Sequence, residues 1–198
     1  MNRSSLARMI TLLAVLAASA ACGGGVSTAV APRADPKPSD STAAGTPFTS
    51  AEGRFSVTLP AGFAPFQEKR NEATKMTGYT SSGPNNTACN VSYSEFSDAL
   101  SSQLNTPENI EKALGAMRDN SVTGMGGIPD REEKVTVQGH PRLSVYGTIP
   151  KSEATLYFRM DSVIANSRGY RFGCLSTNKE ELEKPGIRAF FSSFQLAQ

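Results

Sequence analysis

The sequence predicts an α+β domain: a central antiparallel sheet of five to seven strands with helices packed on its faces. Two observations carry that prediction. Five or six segments show the period-two apolar pattern of half-buried strands, and mostly short turn-like links join them, as antiparallel neighbours require. Two further segments carry helix caps and apolar residues at helical spacing. They stand apart from the strands and do not alternate with them, which favours α+β over a parallel α/β sheet.

Phe55, Val57 and Leu59 alternate with Ser56 and Thr58, and Pro60-Ala61-Gly62 closes the strand. Cys89, Val91 and Tyr93 alternate in the same way after the turn-rich Ser81-Ser82-Gly83-Pro84-Asn85-Asn86. Val135 and Val137 run into Gly139-His140-Pro141, and Leu143 and Val145 follow, which predicts a hairpin. Leu156, Phe158 and Met160 alternate with Tyr157 and Arg159 and continue towards Val163. Asn166-Ser167-Arg168-Gly169 then turns the chain into Tyr170, Phe172 and Cys174.

For the first helix, Thr106 is the N-cap, Pro107 takes the first helical position and Glu108 complements the helix dipole. Ile110, Ala113, Leu114 and Met117 share one face, and Gly124, Gly126 and Gly127 end the element. A second helix opens at Thr177 with Glu180 completing a capping box, and Pro185 kinks or restarts it. Ile187, Phe190 and Phe191 keep an apolar stripe there, and Phe194-Gln195-Leu196 reads as a last short strand.

Ahead of this domain the chain reads as an address label. Residues 1–21 have a positive start at Arg3 and Arg8, then a short apolar core from Met9 to Ala18, then small residues. About 13 apolar residues are too few to span a bilayer core, which takes ~20 in a helix. Ser19-Ala20-Ala21-Cys22-Gly23 is similar to the lipobox of bacterial lipoproteins, in which the cysteine is lipidated and becomes the new N-terminus; Ser19 stands where Leu is usual. The alternative is ordinary signal cleavage after Ala18-Ser19-Ala20. Residues 22–46 carry no hydrophobic periodicity and are rich in Gly, Pro and small residues, so they read as a tether whose coil reach is ~27 Å. Such a spacer suits a domain held off a membrane. The single folded domain then covers residues 47–198, and the expected location is a bacterial cell envelope, or secretion if Cys22 is not lipidated.

Composition sharpens this reading. The chain of 198 residues has a formal charge of +2, 38% hydrophobic and 19% charged residues, one His, three Cys and no Trp. Removing Arg3 and Arg8 with the signal leaves 18 basic against 18 acidic residues. A neutral domain has no electrostatic footprint for nucleic acid. No motif asks for a cofactor, and one His with three Cys excludes most His- or Cys-rich metal sites.

A family resemblance joins these elements. Gly53-Arg54-Phe55-Ser56-Val57-Thr58-Leu59-Pro60-Ala61-Gly62-Phe63 resembles the opening strand and turn of PsbP-like domains of exported bacterial proteins. Gly169-Tyr170-Arg171-Phe172 and Phe190-Phe191-Ser192-Ser193-Phe194-Gln195-Leu196 resemble their closing strand, helix and terminal strand. The resemblance implies an α/β/α sandwich of about 150 residues. Its best-known members are accessory proteins of photosystem II, and no catalytic residue comes with it.

Cys89 and Cys174 are the most informative pair. Once Cys22 is assigned to the lipid they remain in an oxidising compartment, each in phase with the apolar residues of its strand. A disulfide closing that ~85-residue loop stabilises by about 4 kcal/mol in the chain-entropy account; two separately buried thiols are the alternative. The remaining candidates have plain structural readings. His140 reads as a solvated turn residue. Ser176-Thr177-Asn178-Lys179 matches S-x-x-K, with Thr177 better explained as a cap. Gly124-Met125-Gly126-Gly127 fits no phosphate-binding pattern and reads as a link. Asp130-Arg131-Glu132-Glu133-Lys134 reads as a solvated strand entrance, and Glu180, Glu181 and Glu183 as the first turn of a helix. Phe190, Phe191 and Phe194 read as core. Asn85-Asn86-Thr87 and Asn90-Val91-Ser92 match the glycosylation sequon, which a bacterial lipoprotein would leave unmodified.

The function this predicts is a non-catalytic, membrane-tethered accessory or binding module with an envelope protein or a small ligand as its partner. An exported enzyme using loop carboxylates and hydroxyls, or a structural envelope component, are the alternatives.

Overall fold

The computed structural model describes residues 45–197. The expected signal at residues 1–21, nearly all of the expected tether and the candidate lipidation site Cys22 lie outside the described residues.

The domain is α+β, with two antiparallel sheets and four helices. Strands β1 (Thr46–Ser50), β2 (Phe55–Leu59) and β10 (Gln195–Leu196) form a three-stranded sheet in the order β1-β2-β10. The larger sheet has seven strands: β3 (Gln67–Asn71), β4 (Met76–Ser82), β5 (Ala88–Glu95), β6 (Ile128–Val137), β7 (His140–Pro150), β8 (Thr155–Ala165) and β9 (Arg168–Ser176). Their order is β3-β4-β5-β9-β8-β7-β6, antiparallel throughout. The helices are α1 (Asp98–Ser101), α2 (Pro107–Met125), α3 (Lys179–Leu182) and α4 (Pro185–Ser192). The first and last predicted strands therefore pair in a sheet of their own and do not join the central sheet.

Turn chemistry sets the register. Gln138 and Gly139 both have positive φ, 50° and 79°, which gives β6–β7 the twist of a primed two-residue hairpin turn. Asn166 and Ser167, at 51° and 60°, do the same for β8–β9. Each turn is two residues long, so His140 is the first residue of β7 and Arg168 the first of β9. His140 is half-buried opposite Val137, not a solvated turn residue. Asp130–Lys134 lies within β6 and not at its entrance, and it is exposed along its length.

The two faces of the large sheet bury different cores. On one face, Val91, Tyr93, Tyr170, Phe172 and Val163 pack beneath the three-stranded sheet and α4, together with Phe55, Phe190, Phe191 and Phe194. Phe172 stacks on Phe194 at 4.1 Å between ring centroids. On the other face, Leu143, Val145, Phe158 and Met160 pack with Leu114 and Val122 of α2. The β8 residues alternate between them: Phe158, Met160 and Ile164 face α2, and Val163 and Ala165 face α4. The core residues at the C-terminus are as expected, with Phe190, Phe191 and Phe194 at most 2% exposed.

Capping decides the helix ends. Thr106 accepts from the Asn109 N–H, and Gly126, at φ 69°, closes α2 with its own N–H on Val122 and Thr123. The cap of α3 is Asn178, whose side chain accepts from Glu180 N–H, and not Thr177. Pro185 restarts the helix as predicted, beginning α4.

Candidate functional site

At one end of the domain three connections converge on an open cleft of about 600 Å³: the link after β2, the β4–β5 turn and the α3–α4 junction. Leu59, Pro60, Phe63, Pro84, Pro185 and Ile187 form most of its wall. Local sequence explains the shape. Asn85 and Asn86, at φ 55° and 54°, make a tight turn in which Thr87 N–H bonds the Pro84 carbonyl at 3.1 Å. Ala64 N–H bonds the Ser82 carbonyl at 2.9 Å, which brings the link after β2 against that turn. The Phe63 ring then occupies the space that a Cβ on Gly83 would take, so only glycine lets it seat there.

Thr87 and the Glu181–Lys184 pair, among the polar residues of this cleft, have internal partners. Thr87, 4% exposed, donates its hydroxyl to Ser176 Oγ at 3.2 Å. Glu181 Oε1 accepts from Asn85 Nδ2 at 3.1 Å and pairs with Lys184 Nζ at 2.8 Å. The Lys184 ammonium, and after it Asn85, hold the Glu181 carboxyl below the usual carboxylate range. What faces the space is therefore mainly hydrocarbon, with one compensated ion pair at the rim.

A second polar constellation lies buried on the sheet face under α4. Asp161 is fully buried; Arg142 Nη2 donates to its Oδ2, and Arg159 Nη2 lies 3.5 Å from the same oxygen. Arg142 Nη1 also donates to the Phe191 carbonyl at 3.2 Å, tying α4 to β7. The Arg159 guanidinium lies over the Phe191 ring, 3.9 Å from its centroid. Burial, then the neighbouring Arg159, push the Arg142 guanidinium downwards, and burial does the same to Arg159. Asp161 supplies the carboxylate that both guanidiniums approach. Asp161 Oδ1, Arg142 Nε and Arg159 Nε have no protein partner. Two guanidiniums around one carboxylate is a structural tie with little access from outside.

The structure joins Cys89 to Cys174. They are a directly opposed pair across β5 and β9, and both are buried. Ser176 of the S-x-x-K match is fully buried, and its Oγ accepts from Thr87 and from Asn178 N–H. Glu180, Glu181 and Glu183 stand in and after the short α3; only Glu181 reaches the cleft wall with polar partners. Gly124–Gly127 is the end of α2 and its link to β6. Of the sequon residues, Asn85 bonds Glu181, and Asn90 lies exposed in β5. Among the described residues no group of three or more His, Cys, Asp or Glu could hold a metal ion, and no helix is long and apolar enough to cross a membrane.

Sequence reasoning missed both the cleft and the Arg142–Asp161–Arg159 cluster. The second had a signal: Asp161 interrupts an apolar run in phase with Val163 and Ala165, where a carboxylate needs a buried partner.

No family model matches the chain, and no curated protein matches it in sequence. Solved structures do resemble it. The solution structure of cyanobacterial PsbP (CyanoP) from Synechocystis sp. PCC 6803 superposes with a TM-score of 0.59 at 8% identity, over 78% of this chain and 93% of that one. A crystal structure from Bacteroides thetaiotaomicron VPI-5482 superposes at 0.51 and 8% identity, over 78% of this chain and 49% of that one. LpqN, described as involved in cell envelope biogenesis of Mycobacterium tuberculosis, reaches 0.43 at 9% identity over 78% and 86%, too distant to carry an argument. The fold is PsbP-like, as the sequence resemblance implied.

Proposed function

We propose that the chain is a non-catalytic accessory module of a bacterial cell envelope, held at a membrane by a lipid on Cys22 and acting by binding. The observation that carries this reading is the cleft. Its walls are mainly apolar, and the Thr87 hydroxyl and the Glu181–Lys184 ion pair are already committed to internal partners. Such a surface gains free energy by excluding water and offers a ligand no activated group. The neutral balance of the mature chain and the Pro/Gly-rich segment before the domain fit a module that works at the end of a tether. The PsbP-like fold is compatible with this role and specifies no ligand.

The test is cross-linking in the native envelope with the tethered protein as bait, using a photoactivatable residue at Ala189 on the cleft wall and another at Ala116 on the exposed side of α2. A reproducible envelope component captured from Ala189 and not from Ala116 supports the proposal. Reproducible failure to capture anything from Ala189 overturns it.

A further inference from the structure

We infer that the cleft accepts a single acyl chain of a membrane lipid, with the headgroup left at the rim. The inference rests on the binding-module reading above and names the ligand of that site. Three observations converge on it.

The first is what the cleft cannot do. A ligand's polar group entering it would lose water and find Thr87 already bonded to Ser176 and Glu181 already shared between Asn85 and Lys184. A hydrocarbon chain loses nothing of the kind and gains contact with Leu59, Pro60, Phe63 and Ile187. At about 600 Å³ the space lies within the usual ligand-site range of ~300–1,000 Å³.

The second is charge at the mouth. Lys184 is half exposed and Glu181 is 12% exposed, so the rim presents both signs. A zwitterionic headgroup matches that pair. The cation beside the phosphate of a zwitterionic headgroup offsets Glu181, and a fatty acid's carboxylate has no such cation, which makes a zwitterionic phospholipid-type amphiphile the better partner than a simple fatty acid.

The third is position along the chain. Gly45 lines the same cleft, and it is the point at which the Pro/Gly-rich segment joins the domain. If the segment between Cys22 and Gly45 is a coil, as its composition suggests, it would reach ~26 Å, and a membrane holding a lipid on Cys22 would lie within reach of the mouth.

The experiment uses the full chain carrying Cys22→Ala, which has no lipid of its own to compete. Dodecylphosphocholine, kept below its micelle concentration, is titrated calorimetrically, with phosphocholine as the chain-free control. Ala61→Trp and Ala189→Trp fill the cleft from exposed wall positions, where the larger side chain does not enter the core. Ala116→Trp, exposed on α2, controls for a general effect of an added aromatic. The expected result is binding of dodecylphosphocholine and none of phosphocholine. Affinity should fall about tenfold or more in Ala61→Trp and Ala189→Trp and stay unchanged in Ala116→Trp. Absence of binding, equal binding of phosphocholine, or affinity indifferent to both cleft variants would overturn the inference. Envelope capture from Ala189 with no amphiphile bound would leave the binding-module reading standing and remove only this one.

Discussion

Replacing Asp161 by Asn keeps the shape of the side chain and removes its charge. Asp161 is fully buried, Arg142 is 7% exposed, and the Arg159 side chain is 17% exposed. The substitution leaves two desolvated guanidiniums facing each other with no carboxylate between them. Breaking a buried ion pair from one side costs about 3–5 kcal/mol, because the remaining charge is buried without compensation. For a domain of this size each kcal/mol lowers the melting temperature by ~2–4 °C, so Asp161→Asn should melt about 6–20 °C below the parent. Thermal and urea unfolding followed by circular dichroism, with the disulfide intact, measure it. The triple change Arg142→Met, Arg159→Met and Asp161→Leu removes all three charges together and should recover most of the loss. An Asp161→Asn protein within ~1 kcal/mol of the parent would refute the reasoning, since it would mean that water reaches the cluster and screens it.

Three other outcomes follow from the same packing. Reduction, or the pair Cys89→Ala and Cys174→Ala, should cost about 4 kcal/mol through release of the 85-residue loop, and non-reducing peptide mapping should show the 89–174 cross-link in the parent. Gly147→Ala should cost about 1–3 kcal/mol in urea unfolding, because the new Cβ overlaps the Ile128 carbonyl oxygen and lies 2.7 Å from the Phe158 ring. Thr106→Ala should cost about 1 kcal/mol by removing the acceptor for Asn109 N–H at the start of α2, with Thr106→Ser restoring most of it.

The elements readable in the sequence are those whose buried face is hydrocarbon. Phe55, Val57 and Leu59, or Cys89, Val91 and Tyr93, show the period of two directly. Strand β4 escaped because its buried residues are Thr77, Tyr79 and Ser81, polar groups on a covered face. Strand β3 escaped for the opposite reason: Gln67–Asn71 is a sheet edge exposed on both sides, so nothing in it alternates. Strand β1 offers only Phe48 as an apolar mark, and the four-residue α1 buries nothing. The cleft was illegible because its walls come from four separate stretches, around residues 45, 58–63, 84–87 and 181–189, and only the fold brings them together. In the ionic cluster, Arg142 and Asp161 are 19 residues apart and meet across β7 and β8. The cysteines were the exception, since compartment and strand phase together pointed at the pair.

The central claim is that this domain works as a module lipid-anchored through Cys22. Metabolic labelling with palmitate in a bacterial host, with Cys22→Ala beside the parent, tests it most directly. The account predicts label on the membrane-associated parent protein and none on Cys22→Ala. Label that persists in the variant, or a parent that is exported and never labelled, would contradict it.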